Sequence, residues 1–214
     1  FLDDYAFMIW GLLELYETTL DPEYLEKAIA LNDTLLSHFW DEKGEAFFFT
    51  ADDAENLLIR KKDAYDGAIP SGNSVAMLNL LRLGRITTET ELESKATKIG
   101  RAFSGEVLGT PTAFTFMISA VDYAVGPCYE IVIVGDPTKP KTQMLLSAIN
   151  DRFIPNKILL LISTDETAER ITRLAPFTKN YKATNALPTA YVCKNYMCQN
   201  PTTDVKILRN LLDS

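Results

Sequence analysis

Histidine and cysteine are the scarce residues here: one histidine, His38, and three cysteines in 214 residues. A single imidazole cannot build a multi-His metal site or a two-His acid/base pair. Three cysteines are too few, and odd in number, for a disulfide framework. Cys193 and Cys198 are five apart with no second pair, so neither zinc nor a thioredoxin-type dithiol is indicated, and both read as structural. Unpaired cysteines lean towards a reducing, cytoplasmic setting. Positive charge is also short, with 21 Lys and Arg against 29 Asp and Glu and a net charge of −8. Such a chain has no field with which to displace phosphate counterions, which argues against a nucleic-acid partner. Long apolar runs are missing: residues 1–16 carry Asp3, Asp4 and Glu14, too short and too charged to span a bilayer. They also lack the basic region and cleavage site of a secretory signal. Ile131-Val-Ile-Val-Gly-Asp-Pro137 is a strand running into a turn, as in nucleotide folds. Neither G-x-G-x-x-G nor G-x-x-x-x-G-K-[ST] occurs, so ligand binding after Val134 rests on fold alone and no cofactor is expected. The scarce histidine and cysteine leave no metal expected. The chain opens inside a helical pattern without Met, as a fragment would.

What is present is a 47% hydrophobic, 23% charged composition, ordinary for a globular chain large enough to bury a real core. The first ~125 residues read as helices. Segments Leu2–Tyr16, Asn73–Leu83 and Thr112–Val125 are apolar on nearly all faces. Segments Pro22–Phe39 and Glu91–Phe103 are one-sided, the first with Asp21 as N-cap and Pro22 at the first helical position. Helices apolar all round are buried all round, and amphipathic ones cover a surface. The alternation predicts concentric layers, and the third and fifth segments start about 40 residues apart, a helical-hairpin period. The expected fold is mainly α: a partial (α/α)6 toroid of helical hairpins over 1–126, followed by a small α/β segment over 127–214. Within the first part, Ala46–Thr50 is a short β-type run with residues 57–60 as candidate partner. In the second, Tyr129–Val134, Lys157–Ile162 and Thr189–Cys193 read as strands. They alternate with helices over Thr142–Arg152, from Thr164-Asp-Glu to Leu174, and after Thr203-Asp204, which predicts a parallel unit.

The chemistry-bearing residues concentrate in two places. Asp3-Asp4-Tyr5 opens the first helix, where acids complement the helix dipole or place one carboxylate in a cavity. Adjacent carboxylates face different ways, so at most one serves. Tyr65-Asp66-Gly67-Ala68-Ile69-Pro70-Ser71-Gly72-Asn73-Ser74 is turn chemistry ahead of a helix. It is either a turn plus N-cap, or a loop delivering Asp66, Ser71 and Asn73 to a polyol. Asp63 and Asp66 could share a site, since paired carboxylates are what glycoside chemistry uses. Tyr5, Trp10, Trp40, Phe47, Phe48, Phe49 and Tyr65 are sugar-stacking candidates or plain core. His38 fits a dipole partner or a core residue better than a catalyst.

Several stretches together resemble one family. They are Leu2-Asp3-Asp4-Tyr5-Ala6-Phe7; Phe39-Trp40-Asp41 with Gly44 and Phe47–Ala51; Tyr65–Ser74; Pro155-Asn156-Lys157; and Thr189–Cys193 with Cys198 and Pro201–Asp204. The chain is similar over its length to the C-terminal part of the spermatogenesis-associated protein 20 family, thioredoxin-domain-containing proteins of domain of unknown function 255. The resemblance implies a six-hairpin glycosidase-like toroid, also similar to N-acylglucosamine 2-epimerases. It implies as partners an N-terminal thioredoxin-like domain and first toroid helices that lie outside this chain. The expected function is binding or acting on a carbohydrate at the toroid mouth. Asp4 and Asp66 are then the catalytic candidates, and Tyr5, Trp40, Tyr65, Ser71 and Asn73 the substrate-binding ones. The competing expectation is a non-catalytic interaction module for the absent domain. A severed toroid would self-associate or expose large apolar patches.

Overall fold

The computed structural model describes residues 1–55, 58–165 and 167–213. It divides into two compact units, one of Phe1–Thr18 with Glu23–Gly126, the other of Thr19–Pro22 with Pro127–Ser214. The chain is mainly α, with nine α-helices among the described residues.

In the first unit the helices are α1 (Leu2–Thr19), α2 (Pro22–Phe39), α3 (Gly72–Thr87), α4 (Thr90–Ala102), α5 (Ser104–Gly109) and α6 (Thr115–Val125). Helix α3 is central. Almost every one of its residues is buried, and it packs against α4 and α6. Its apolar positions Val75, Met77, Leu80 and Leu83 drive that burial, and two of its polar side chains tie it to α1. Asn79 Nδ2 donates to the Ala6 carbonyl of α1 at 2.8 Å. Arg82 bridges Glu14 and Glu17 of α1 at 2.6 and 3.0 Å. Ser71 caps α3, its Oγ accepting from the Ser74 N–H.

The other two helices read as apolar all round are not buried all round. On α6 only Met117, Ala120 and Tyr123 are buried, and Ile118, Val121 and Val125 face solvent. On α1, Met8 and Leu15 are exposed. Composition marks which helices are greasy, whereas burial depends on how many neighbours a position has in space.

The β-type run 46–50 is shorter than expected. A two-stranded ribbon pairs β1 (Trp40–Asp41) with β2 (Ala46–Phe47). Of the candidate partner strand 57–60, Leu57 lies outside the described residues, and 58–60 form no strand. The run is anchored instead by single backbone bonds, Phe48 N–H to Phe39, Phe49 N–H to Lys61, and Leu2 N–H to Phe49.

The second unit carries β3 (Tyr129–Val134), α7 (Pro140–Asn150), β4 (Lys157–Ile162), α8 (Thr167–Leu174), β5 (Thr189–Lys194), β6 (Met197–Cys198) and α9 (Val205–Leu212). Glu166, in the expected helix start, lies outside the described residues. The sheet order is β4-β3-β5-β6, and it is mixed rather than parallel. β3 and β4 run parallel, Tyr129 opposite Lys157, while β5 returns antiparallel beside β3 with Val134 opposite Thr189. An apolar run identifies a buried strand but carries no information on its direction. Ile131, Ile133, Leu159, Leu161 and Val192 pack in one core with Leu145, Ile149, Leu208 and Leu212.

A second correction concerns the cysteines. Cys193 and Cys198 face each other across the β5–β6 hairpin and form a disulfide, and among the described residues Cys128, which is buried, is the cysteine outside it. The two-residue turn between them, Asn195-Tyr196, has φ of 50° and 64°, the left-handed pair that such hairpins need. The argument for a reducing compartment from unpaired cysteines therefore loses its premise.

Candidate functional site

The loop 63–71 is built by two buried side chains. Asn73, in the first turn of α3 and fully buried, accepts from the Phe47 N–H at 2.9 Å. It also donates to the Phe47 and Asp63 carbonyls at 3.0 and 2.9 Å. It thus clamps β2 and the loop entry to α3. Asp66 is buried and accepts three backbone N–H bonds, from Ser71 at 2.9 Å, Phe116 at 2.8 Å and Met117 at 3.0 Å. The last two are first-turn donors of α6, whose own N-cap, Phe114, has no capping side chain. Asp66 therefore caps α6 across about fifty residues of chain and holds the loop's end at the same time.

These bonds shape an open cavity of about 250 Å³, lined among others by Leu2, Asp3, Phe49, Asp63, Tyr65 and Ser71. Asp3 is its half-buried carboxylate. It accepts from the Gly72 N–H, and burial pushes its proton affinity up, with the Asp4 and Asp63 charges adding to the rise and the Gly72 bond opposing it. Gly72 leaves no room for a side chain: a β-carbon would meet Asp3 Oδ1 and would lie 2.6 Å from Leu2 Cγ. Tyr65 stands over the loop, mostly exposed, and Phe49 stacks on Phe1 at 5.1 Å.

Two carboxylates, an exposed aromatic ring and hydroxyl and amide groups of a helix N-terminus thus share one cavity. Of the catalytic and substrate-binding candidates, Tyr65 and Ser71 line it, while Asp66 and Asn73 are not among its lining residues and hold the loop from behind. Asp4 points away and binds the Phe1 ammonium at 2.9 Å. Tyr5 packs on Phe39 at 5.3 Å. Trp40 lies under Lys95, whose Nζ is 4.5 Å from the ring, and edge-on to Phe47. Neither Tyr5 nor Trp40 lines the cavity. Of the two adjacent carboxylates it is Asp3, not Asp4, that lines the cavity, and of the aromatic candidates Phe49 lines it beside Tyr65. The signal for Asp3 is helical phase: Asp4 shares a stripe with exposed Met8, Gly11 and Leu15, whereas Asp3 adjoins the buried Leu2–Ala6 edge.

His38 lies elsewhere. Its Nδ1 meets Asp52 at 2.9 Å and Asp53 at 3.8 Å, and these three ligand atoms lie within 4.8 Å of one another. The hydrogen bond that the imidazole donates to the Asp52 carboxylate raises its proton affinity, and His38 is half-buried while the two acids are exposed. The sequence reading expected no metal and did not bring these three together.

The chain aligns along nearly all its length with one stretch of spermatogenesis-associated protein 20. Identity is 38% over 213 residues with the human protein and 37% with the mouse protein, covering 99% of this chain and 27% of theirs. An uncharacterised protein of Caenorhabditis elegans is 32% identical over 214 residues, 28% of its length. The chain thus spans little more than a quarter of the length of the curated relatives it matches. No family model matches it. No helix among the described residues is long and apolar enough to cross a membrane.

Proposed function

We infer that this chain is a piece of a protein of the spermatogenesis-associated protein 20 kind, and that its helical unit binds a carbohydrate at the α1–α3 cavity and acts on it. The observation that carries this reading is the Asp3 carboxylate, half-buried on the Gly72 N–H, sharing its cavity with Asp63 and the exposed Tyr65 ring. Carboxylates accept from sugar hydroxyls, and an exposed aromatic face stacks on a pyranose. In a reaction, the raised proton affinity of Asp3 suits it to protonate a leaving oxygen, with Asp63 as the base. A fully buried α3 flanked by α4 and α6 supports reading the helical unit as a sector of an α/α toroid, whose mouth is where such cavities open. The test is a thermal-shift panel of mono- and disaccharides on the full-length protein and on this chain, repeated with Asp3→Asn. A sugar-specific rise in midpoint that Asp3→Asn removes supports the reading. A flat panel, or a response untouched by Asp3→Asn, overturns it.

The second reading is an interaction module. It is favoured by the exposed apolar side chains Met8 and Leu15 on α1 and Ile118, Val121 and Val125 on α6. Here the partner is a further helical segment of the longer protein, or a second copy of this chain. Light scattering on the chain as given decides: concentration-dependent self-association supports the reading, and a monomer at all concentrations counts against it.

A further inference from the structure

The spacing of Cys193 and Cys198 reads as structural, but the fold gives the pair surroundings that a passive crosslink does not need. Its two halves differ in access. Cys193 is 5% exposed, on β5 inside the sheet, whereas Cys198 is exposed on the two-residue edge strand β6. An incoming thiolate therefore reaches Cys198, and Cys193 is the sulfur that leaves. The bridge closes a separation of only five residues, so chain entropy does little to hold it shut.

The sheet sets a carboxylate beside the leaving sulfur. Glu130 lies directly opposite Cys193 in the antiparallel β3–β5 register. Residues so paired share a face, with β-carbons about 4.5–5.5 Å apart. Glu130 is 4% exposed, an uncommon position for an ionisable side chain. Its Oε2 accepts from the Tyr196 N–H at 3.1 Å, in the turn that joins β5 to β6. The carboxylate thus holds the hairpin that carries the disulfide and stands next to its buried half. A lasting thiolate there would put two like charges together out of water, so the departing sulfur leaves as a thiol. Glu130 is the group placed to carry that proton.

The exposed sulfur has its own donor. Tyr181 stacks on Tyr191 at 4.1 Å, nearly parallel, and the Tyr191 hydroxyl donates to the Lys182 carbonyl at 2.8 Å. Tyr191 shares the face of β5 that bears Cys193. The stack brings the Tyr181 hydroxyl to 4.0 Å from Cys198 Sγ. Burial holds the proton of Tyr181 more tightly than in an ordinary phenol, and the neighbouring Tyr191 and Glu130 add to the effect, so it stays a donor. A donor at that sulfur steadies Cys198 when it leaves as a thiolate.

We propose that Cys193 and Cys198 form a redox-active pair that exchanges with an external dithiol through Cys198, with Glu130 carrying the proton for Cys193. One thiolate of the dithiol attacks Cys198 Sγ. The Cys193–Cys198 bond breaks, and its electron pair leaves on Cys193, which takes a proton from Glu130. The second thiolate of the dithiol then attacks the dithiol sulfur now bonded to Cys198, and Cys198 is released and protonated. Two electrons pass to the pair, the dithiol is oxidised to its disulfide, and its two protons replace those taken up by Cys193, through Glu130, and by Cys198. The reverse sequence oxidises the pair. The site is independent of the α1–α3 cavity and of any sugar bound there.

The experiment holds the 214-residue chain at neutral pH, without denaturant, in glutathione buffers of increasing reduced fraction. Thiols are alkylated and located by mass spectrometry, and opening by dithiothreitol is timed on the same chain. The expected result is that the folded chain exchanges with glutathione and that the mixed disulfide maps to Cys198. Glu130→Gln, which keeps an acceptor for the Tyr196 N–H, slows opening by dithiothreitol about tenfold or more. Cys193→Ser leaves Cys198 to take up glutathione, so the point of attack is tested without touching Glu130. A pair that stays oxidised in about 10 mM reduced glutathione and opens only in urea overturns the proposal. So does a mixed disulfide that maps to Cys193. An unaltered opening rate in folded Glu130→Gln overturns the proton role of Glu130.

Discussion

Replacing Asp66 by Asn separates a structural carboxylate from a reacting one. In the folded chain Asp66 accepts three N–H bonds, two of them from the otherwise uncapped first turn of α6. An asparagine is the same size but offers one acceptor oxygen, and its NH₂ must face either Ser71 N–H or the α6 donors. Bonds to a charged acceptor are worth about 1.5–3 kcal/mol each, and a lost N-cap about 1 kcal/mol. With part of the network surviving on the remaining oxygen, the expected loss is about 2–4 kcal/mol, a large share of the ~5–15 kcal/mol that stabilises a domain. The assay is urea unfolding followed by tryptophan fluorescence. Both tryptophans, Trp10 and Trp40, belong to the helical unit, and Trp10 packs on Phe116 at 4.9 Å, beside the capped turn. A shift under about 0.5 kcal/mol, within the scatter of surface substitutions, refutes the capping role. So does loss of a sugar response in Asp66→Asn with stability intact, because a carboxylate that only holds walls cannot lose the ligand while keeping the fold.

Asn73→Ala leaves the Phe47 N–H and two carbonyls without their buried partner and should cost about 3 kcal/mol in the same urea assay; an unchanged midpoint would remove Asn73 from the loop's support. Asp3 is held above its ordinary value of 3.8, so the folded state binds that proton more tightly. Stability then falls as pH rises from near 3.8 through the raised value, and is flat above it. Asp3→Asn should be at least as stable as the parent at neutral pH and should lack that decline, and a neutral-pH loss would contradict the account. His38, the single histidine, should titrate above 6.5 by NMR because Asp52 stabilises its charged form. That contribution is fully present below 6.5 and is lost as pH rises through the folded value, so Asp52→Asn should lower the titration midpoint. Cys198→Ser opens a disulfide closing a five-residue separation and should cost about 2 kcal/mol by chain entropy, read by circular dichroism as a fall in midpoint. No change on substitution or on reduction would mean the hairpin turn and its backbone ladder suffice.

Much of the element pattern was legible because it depends on near neighbours in sequence. Pro22 opens α2, Ser71 caps α3, Asp204 caps α9, and the stripe Leu92, Ala96, Ile99 is buried on α4. The strands over Tyr129–Val134 and Lys157–Ile162 were equally plain from their unbroken apolar runs. The importance of the Tyr65–Asn73 loop was readable from its turn residues, but the division of labour within it was not. Whether Asp66 faces a ligand or the α6 amides depends on a segment fifty residues away.

Local chemistry is therefore what the sequence by itself determined: where helices start, which runs are buried strands, and which loop is tightly built. Tertiary structure alone decided which carboxylate lines the cavity, that β5 runs against β3, and that Cys193 meets Cys198. It also decided which of three greasy helices is enclosed. The physical reason is the same in each case. Propensity and capping act over a turn or two of chain, whereas burial, strand direction and hydrogen-bond partnership depend on what packing brings alongside.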